Sequence, residues 1–333
     1  MLGDNLPSPS EVISLCKSRN ISKLRMTRPS IPVLEALRNT GIGVILSPYK
    51  EELLLFALRR SAAVGWVEAY IVPFASSVDF RYISIGNEDI PGDNSMYILT
   101  VIQNVANALR AANLYIPVTT TVSMEVLGTS YKPSEGVFSD KALEVTCVLE
   151  PIIYHLALSK APLLVNVYPY YAYVAEPDVI ELDYVLFTTR GVVVEDGNRG
   201  YSNMFDAMVD AMRTALERAG GAGVEVVVSE TGWPSFGGKI GATIHNAKTY
   251  NNNLVKHVKS KIGTPKFPEK EIEVYLFSMF NENLKPEGIK RNYGLFYANM
   301  TEDDARKMVG IAQLVEQRIE NPRVTSSNLV PDA

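Results

Sequence analysis

The sequence predicts an α/β fold of the (β/α)8, or TIM-barrel, type, with a small subdomain after barrel strand six and without the barrel's first strand. Three observations lead there. Short, β-branched, nearly continuous apolar runs alternate with longer amphipathic stretches from the start to about residue 280. Runs without polar alternation suit strands buried on both faces of a parallel sheet, and their alternation with helical patterns is that of βαβ crossovers. The rival fold, a doubly wound open sheet, would want a glycine-rich phosphate loop after an early strand. Gly41-Ile42-Gly43 leads into a strand instead, and no such loop occurs elsewhere.

Each element has its own signal. Ser8 is a plausible N-cap for a first helix striped by Val12, Leu15 and Cys16. Strands are expected at 21–26, 41–46, 80–85, 118–122, 163–168, 224–229 and 272–280, and further helices over 31–38, 51–72, 95–112, 141–159, 201–219 and 242–261. Seven strands preceded by a helix, where a barrel needs eight, place the opening strand upstream of Met1. Residues 170–200, rich in Tyr and Asp, read as an insertion containing a hairpin. The barrel domain is expected over 1–300. The segment 301–333 reads as an atypical tail, with an amphipathic helix over 302–319 and a frayed polar end.

Composition narrows the function. Of 333 residues, 47% are hydrophobic and 21% charged, an ordinary balance for a soluble globular protein. Lys and Arg number 32 against 37 Asp and Glu, for a net charge of −5, which argues against nucleic acid as the main partner. Two cysteines, Cys16 and Cys147, cannot build a disulfide framework and read as buried thiols. Three histidines leave little for a zinc site, so neither a metal nor a cofactor is expected. No apolar run reaches the ~18 residues of a membrane span, and the first residues show no secretory leader. Asn20-Ile21-Ser22 and Asn299-Met300-Thr301 are glycosylation sequons that matter only in a secreted chain.

Barrel enzymes carry their chemistry at the carboxyl ends of strands. Three acids sit there: Glu88 in Gly86-Asn87-Glu88, Glu230 in Ser229-Glu230-Thr231-Gly232-Trp233, and Glu282 in Asn281-Glu282-Asn283. A single such acid is usually a solvated strand end, but three on one rim are not readily dismissed. With the first strand upstream, Glu88 ends strand four and Glu230 ends strand seven, across the barrel mouth from each other. Paired carboxylates across a cleft are what glycosidic cleavage requires, one protonated and one ionised. Asn87 suits a sugar hydroxyl, and Lys285 would orient Glu282 or form a surface ion pair. Aromatic side chains supply sugar platforms. Tyr168, beside Asn166 at a strand end, is the best placed of these, with Trp233 and Phe296 as further candidates.

These blocks closely resemble family 17 of the glycoside hydrolases, the plant endo-1,3-β-glucosidases. The resemblance rests on Gly86-Asn87-Glu88, Val165-Asn-Val-Tyr-Pro-Tyr170, Val226-Val-Val-Ser-Glu-Thr-Gly-Trp-Pro-Ser235, Met279-Phe-Asn-Glu-Asn283 and Tyr293-Gly-Leu-Phe296, in order, over about residues 3–299. It implies a (β/α)8 barrel that cleaves 1,3-β-glucan internally with retention of configuration. By motif it makes Glu230 the nucleophile and Glu88 the acid/base, with Glu282 and Lys285 in support and the two carboxyl groups about 5–5.5 Å apart. It also implies a secreted, cell-wall or vacuolar protein, with the glucan as partner, no nucleic acid, no membrane span and a monomeric chain. Some positions depart from the pattern. Thr27-Arg28-Pro29 stands where the family has Tyr-Asp-Pro, Asp89 where an apolar residue is usual, and Lys290 where an acid follows the supporting lysine. Two other readings stay open on the sequence: a catalytically impaired glucan-binding protein, and a 1,3-1,4-β-glucanase on the same fold.

Overall fold

The computed structural model describes residues 3–140, 148–301 and 315–316. In chain order the strands are β1 (Lys23–Met26), β2 (Gly43–Leu46), β3 (Asp79–Ile85), β4 (Val118–Ser123), a small antiparallel pair β5 (Leu127–Thr129) and β6 (Val137–Phe138), β7 (Leu163–Asn166), a second pair β8 (Val194–Asp196) and β9 (Arg199–Tyr201), β10 (Val226–Thr231), β11 (Val274–Leu276) and β12 (Val315–Glu316). The large sheet runs β11-β10-β7-β4-β3-β2-β1-β12, parallel throughout. Its seven main strands form a nearly closed barrel with helices outside, so the TIM-barrel expectation holds. β12 pairs with β1, Leu24 opposite Val315 and Arg25 opposite Glu316, and lies beside β11. Of the helix expected over 302–319, these two residues are described, and they form a strand. The rest lies outside the described residues.

Local chemistry explains the helices. The Ser8 hydroxyl accepts from the Glu11 N–H while the Ser8 N–H donates to Glu11 Oε2 at 2.8 Å, a reciprocal cap that starts Pro9–Ser18. The single helix expected over 51–72 is two, Leu53–Leu58 and Arg60–Tyr70, because Arg59 leaves the helical region at φ −133°, ψ 102°. The break lets Phe56 and then Trp66 and Val67 each turn into the core. Within 170–200 the chain forms two short helices, Pro169–Ala175 and Leu182–Val185, before β8. The expected hairpin is β8–β9, turning at Gly197 with φ +63°. Among the described residues no helix is long and apolar enough to cross a membrane. Cys16 is buried, which pushes its thiol up to about 12. Cys147 lies outside the described residues.

A period of two within each strand sorts side chains between two buried layers. Leu24 and Met26, Val44 and Leu46, Leu163 and Val165, and Val226 and Val228 face outward into the layer beneath the helices. Ile45, Leu164, Val227 and Tyr275 face inward, where they form a separate cluster on the barrel axis. Each such side chain contributes about 1.5–3 kcal/mol on burial. Arg25 lies between Leu24 and Met26 and therefore points inward.

The amino-terminal end of the barrel is closed by charge. Glu273 accepts from Arg81 Nε at 3.1 Å and Nη2 at 2.7 Å and from Tyr275 Oη at 2.8 Å, and pairs with Lys23 Nζ at 3.3 Å. Burial works against ionising Glu273. The Arg81 hydrogen bonds and the Lys23 and Arg81 charges outweigh it and hold the carboxyl below its ordinary value. A depressed carboxyl contributes stability that is present above its unfolded value and is lost as pH falls through its folded value. Glu273→Gln is therefore expected to lower unfolding stability by about 2 kcal/mol at neutral pH. The variant should also lose less than wild type below about pH 4.3, as measured by urea unfolding across pH.

Candidate active site

Two carboxylates reach the carboxyl end of the barrel by different backbone devices. Glu88 follows β3 in a turn where Gly86 has φ +74° and Glu88 itself φ +59°. The Glu88 N–H donates to Thr121 O at 2.9 Å, which anchors this uncommon conformation to β4. Glu230 lies within β10, where the register shifts between Val228 opposite Val165 and Glu230 opposite Asn166. The extra residue is Ser229. In an unbroken strand Ser229 would face inward and Glu230 outward; the bulge turns both to the barrel mouth.

Arg25 joins the two. Fully buried on the axis, its Nη1 donates to Glu230 Oε1 at 2.8 Å, to Asn166 Oδ1 at 3.1 Å and to Ser229 O at 3.2 Å. Its Nη2 donates to Asn87 Oδ1 at 2.7 Å and Thr121 Oγ1 at 3.1 Å. Asn166 continues the network, its Nδ2 donating to Glu88 Oε1 at 2.6 Å and Asn87 Oδ1 at 3.1 Å while its Oδ1 accepts from Ser229 Oγ at 2.9 Å. Tyr168 Oη donates to Glu230 Oε2 at 2.9 Å. Glu230 is thus 5% exposed and held by a guanidinium and a phenol, whereas Glu88 is exposed to the cleft. One carboxylate is fixed in a site built for its charge, and the other faces the open cleft.

The cleft, about 510 Å³, is lined by Glu88, Asn166, Tyr168, Tyr171, Glu230 and Lys285 among others. Tyr168 packs edge-on against Tyr171, Phe277 and Tyr293, with ring centroids 5.5, 6.3 and 5.9 Å away. This makes an aromatic wall suited to a flat sugar face. Burial, together with the Glu88 and Glu230 charges, raises the Tyr171 phenol above its ordinary value, so it stays a hydrogen-bond donor. Lys285 pairs with buried Glu282 and sits 4.6 Å from the centre of the Phe277 ring. That pair is a buried ion pair facing the cleft, not a surface one. Lys290 lines the same wall.

The structure brings Asn87, Glu88, Asn166, Tyr168, Glu230, Glu282 and Lys285 together. Trp233 and Phe296 are placed differently. Both are fully buried, so the platform role suggested by sequence has no open ring face to act on. Trp233 donates Nε1–H to Gly241 O at 2.8 Å and packs on Tyr170 and Tyr250, while Phe296 packs on Phe280. They brace the strand ends from behind. Sequence reasoning missed Arg25, Tyr171 and Tyr293. A lone Arg in the four-residue strand Lys23–Met26 was the available signal.

With this geometry in place, comparison with known proteins is decisive. The profile of Glycosyl hydrolases family 17 matches residues 1–303. The chain belongs to glycosyl hydrolases family 17. Two relatives are similar over nearly the whole chain. A glucan endo-1,3-β-glucosidase of Vitis vinifera is 47% identical over 302 residues, 88% of this chain and 86% of the relative. A glucan endo-1,3-β-glucosidase, basic vacuolar isoform, of Nicotiana plumbaginifolia is 43% identical over 305 residues, 90% and 82% of the two chains. Among solved structures, the β-1,3-glucanase and pollen allergen of Cryptomeria japonica superposes with a TM-score of 0.87 at 42% identity, covering 92% of this chain and 96% of that one. Family-17 membership makes the protein a glycosidase, and the resemblance seen in its sequence blocks extends across the whole barrel.

Proposed function

We propose that the protein hydrolyses internal 1,3-β-D-glucosidic linkages of 1,3-β-glucans with retention of configuration, Glu230 acting as nucleophile and Glu88 as general acid/base. One observation carries the assignment of roles. Glu230 is buried against the Arg25 guanidinium and the Tyr168 hydroxyl, while Glu88 accepts from the neutral Asn166 amide at the cleft surface. A guanidinium favours the ionised form that attacks, and an open position on the cleft suits a group that must gain and lose a proton. In the first step a Glu230 oxygen bonds to the anomeric carbon as the glycosidic C–O bond breaks, and the Glu88 proton passes to the departing oxygen. In the second step water attacks the same carbon, Glu88 takes its proton, and Glu230 leaves as carboxylate. The Tyr168–Tyr171 wall, backed by buried Tyr293, supports a sugar ring beside these groups. A secreted or vacuolar location fits the vacuolar relative.

Incubation with linear 1,3-β-glucan tests this. Viscosity should fall faster than reducing ends accumulate, and the first products seen by NMR should be β-anomers. α-Anomers would overturn the nucleophile assignment. Faster release from mixed 1,3-1,4-linked glucan than from pure 1,3-linked glucan would overturn the linkage.

A further inference from the structure

Among the described residues, the seven main strands form a row that ends on β11 at one side and β1 at the other. Each of these edges carries backbone N–H and C=O groups that a further strand can satisfy. β12 stands between them, pairing in parallel with β1 and lying beside β11. We propose that Val315–Glu316 is the closing strand of the barrel and that, by pairing with β1, it positions Arg25 against Glu230. The catalytic half of the proposal rests on reading Glu230 as the nucleophile.

The family-17 profile matches residues 1–303, so β12 comes from a segment outside that match. It nevertheless enters the main sheet in the same direction as its neighbours. The connection is long enough for that. Phe296 bridges Phe280 beyond the carboxyl end of β11, and the Tyr297 N–H donates to Thr301 O at 3.1 Å, which places Thr301 near the barrel mouth. A parallel strand has to start from the opposite end, and needs a crossover of about a dozen residues or more. Residues 302–314 number thirteen and can reach about 45 Å when fully extended.

β12 meets β1 where the site depends on it most. Glu316 stands opposite Arg25 in the ladder, and on the other edge of β1 Arg25 stands opposite Ile45 of β2. The buried Arg25 guanidinium reaches Glu230, Asn166, Asn87 and Thr121, which lie on or directly after four other strands. β1 is only four residues long. Paired along one edge it is free to tilt, and a tilt at its backbone is magnified at the end of so long a side chain. A second ladder removes that freedom, as catalytic geometry requires. Around Glu230 stand Arg25 from β1, Tyr168 and Tyr171 after β7, Glu88 after β3 and, across the cleft, Lys285 and Lys290 after β11. Of these, Arg25 alone sits on the strand that β12 pairs, so loss of β12 acts on Glu230 through Arg25.

Hydrogen exchange on the intact wild-type chain tests the closure. At least one of the Val315 and Glu316 amides should exchange about 100-fold or more slowly than in a free peptide of residues 309–321. Free-peptide rates at both would overturn the closing strand. Proline variants of the full chain test the link to catalysis. Successive N–H groups point to opposite edges of a strand, so Val315→Pro and Glu316→Pro between them remove the bond to β1 and the donor facing β11. The variant that loses the β1 bond should lower kcat on linear 1,3-β-glucan by about 10–100-fold. It should also move the acid limb of kcat/KM to higher pH, as loss of Arg25 would; a smaller folded fraction alone would lower the rate without moving the limb. On an Arg25→Met background the same proline should add little. Val315→Ile keeps the N–H and the branched shape and should behave as wild type. Wild-type acid limbs in both proline variants, or full additivity with Arg25→Met, would overturn the positioning role and leave the glucanase reading intact. Absence of hydrolysis by the wild-type chain would overturn that reading and the catalytic half together, while hydrogen exchange would still decide the closure.

Discussion

Glu230→Gln is expected to remove hydrolysis of linear 1,3-β-glucan, lowering kcat by on the order of 10⁴-fold or more, while leaving the barrel folded. The amide is close in shape to the carboxylate, and its oxygen can still accept from Arg25 Nη1, while Tyr168 Oη can accept from the new NH2. Arg25 keeps acceptors on Asn87, Thr121, Asn166 and Ser229, so its charge is not left without hydrogen bonds. What disappears is the anion that forms the covalent bond. Glu88→Gln makes the informative contrast. It removes the proton donor, costing about 10²–10⁴ in kcat/KM on glucan, but much less in kcat/KM on an aryl glycoside, whose leaving group needs no proton in the first step. Parallel assays on the two substrates therefore separate the roles. Equal losses for Glu88→Gln on both would argue against an acid/base role for Glu88, and a Glu230→Gln enzyme that still turned over the aryl glycoside would argue against its role as nucleophile.

The same structure shows why some of this was legible in sequence and some was not. Strands buried on both faces write themselves as unbroken apolar runs, so every main strand lies at its expected position. The fraying is at the ends: β11 covers only Val274–Leu276 of the expected 272–280 because Phe280 joins Phe296 through an isolated bridge instead of extending the ladder. The three rim carboxylates were visible because a polar residue ending an apolar run marks a strand's carboxyl end. Arg25 was hidden by the same two-sided burial that revealed the strands. When outward residues such as Leu24 and Met26 are as apolar as inward Ile45, the pattern no longer tells which face a side chain takes. The bulge at Ser229 is a one-residue register change with no composition signal, yet it turns Glu230 to the mouth. Aromatic rings near the motifs carried no information on burial, and so Trp233 and Phe296 read like Tyr168 although only Tyr168 meets the cleft.

Arg25→Met is expected to damage stability and catalysis together. Arg25 is fully buried and Glu230 is 5% exposed, so removing the cation leaves a buried carboxylate without its charge partner. Breaking such a pair costs about 3–5 kcal/mol, measurable as a fall in the chemical-denaturation midpoint. The catalytic effect follows from the same contact. Without the guanidinium, Glu230 takes up a proton more readily, so the acid limb of kcat/KM should move to higher pH and part of the lost activity should return as pH is raised. Loss of the Nη2 bond to Asn87 also frees the turn that carries Glu88. Arg25→Lys distinguishes charge from geometry. A lysine restores one positive point but cannot reach Glu230, Asn166, Asn87 and Thr121 from a planar fork. It should therefore recover most of the stability and the acid limb while kcat stays about 10–100-fold low, since small displacements of catalytic groups are felt on that scale. If Arg25→Met instead matched wild type in midpoint and pH profile, the guanidinium would be a filler of the barrel axis and not the group that holds the nucleophile ionised.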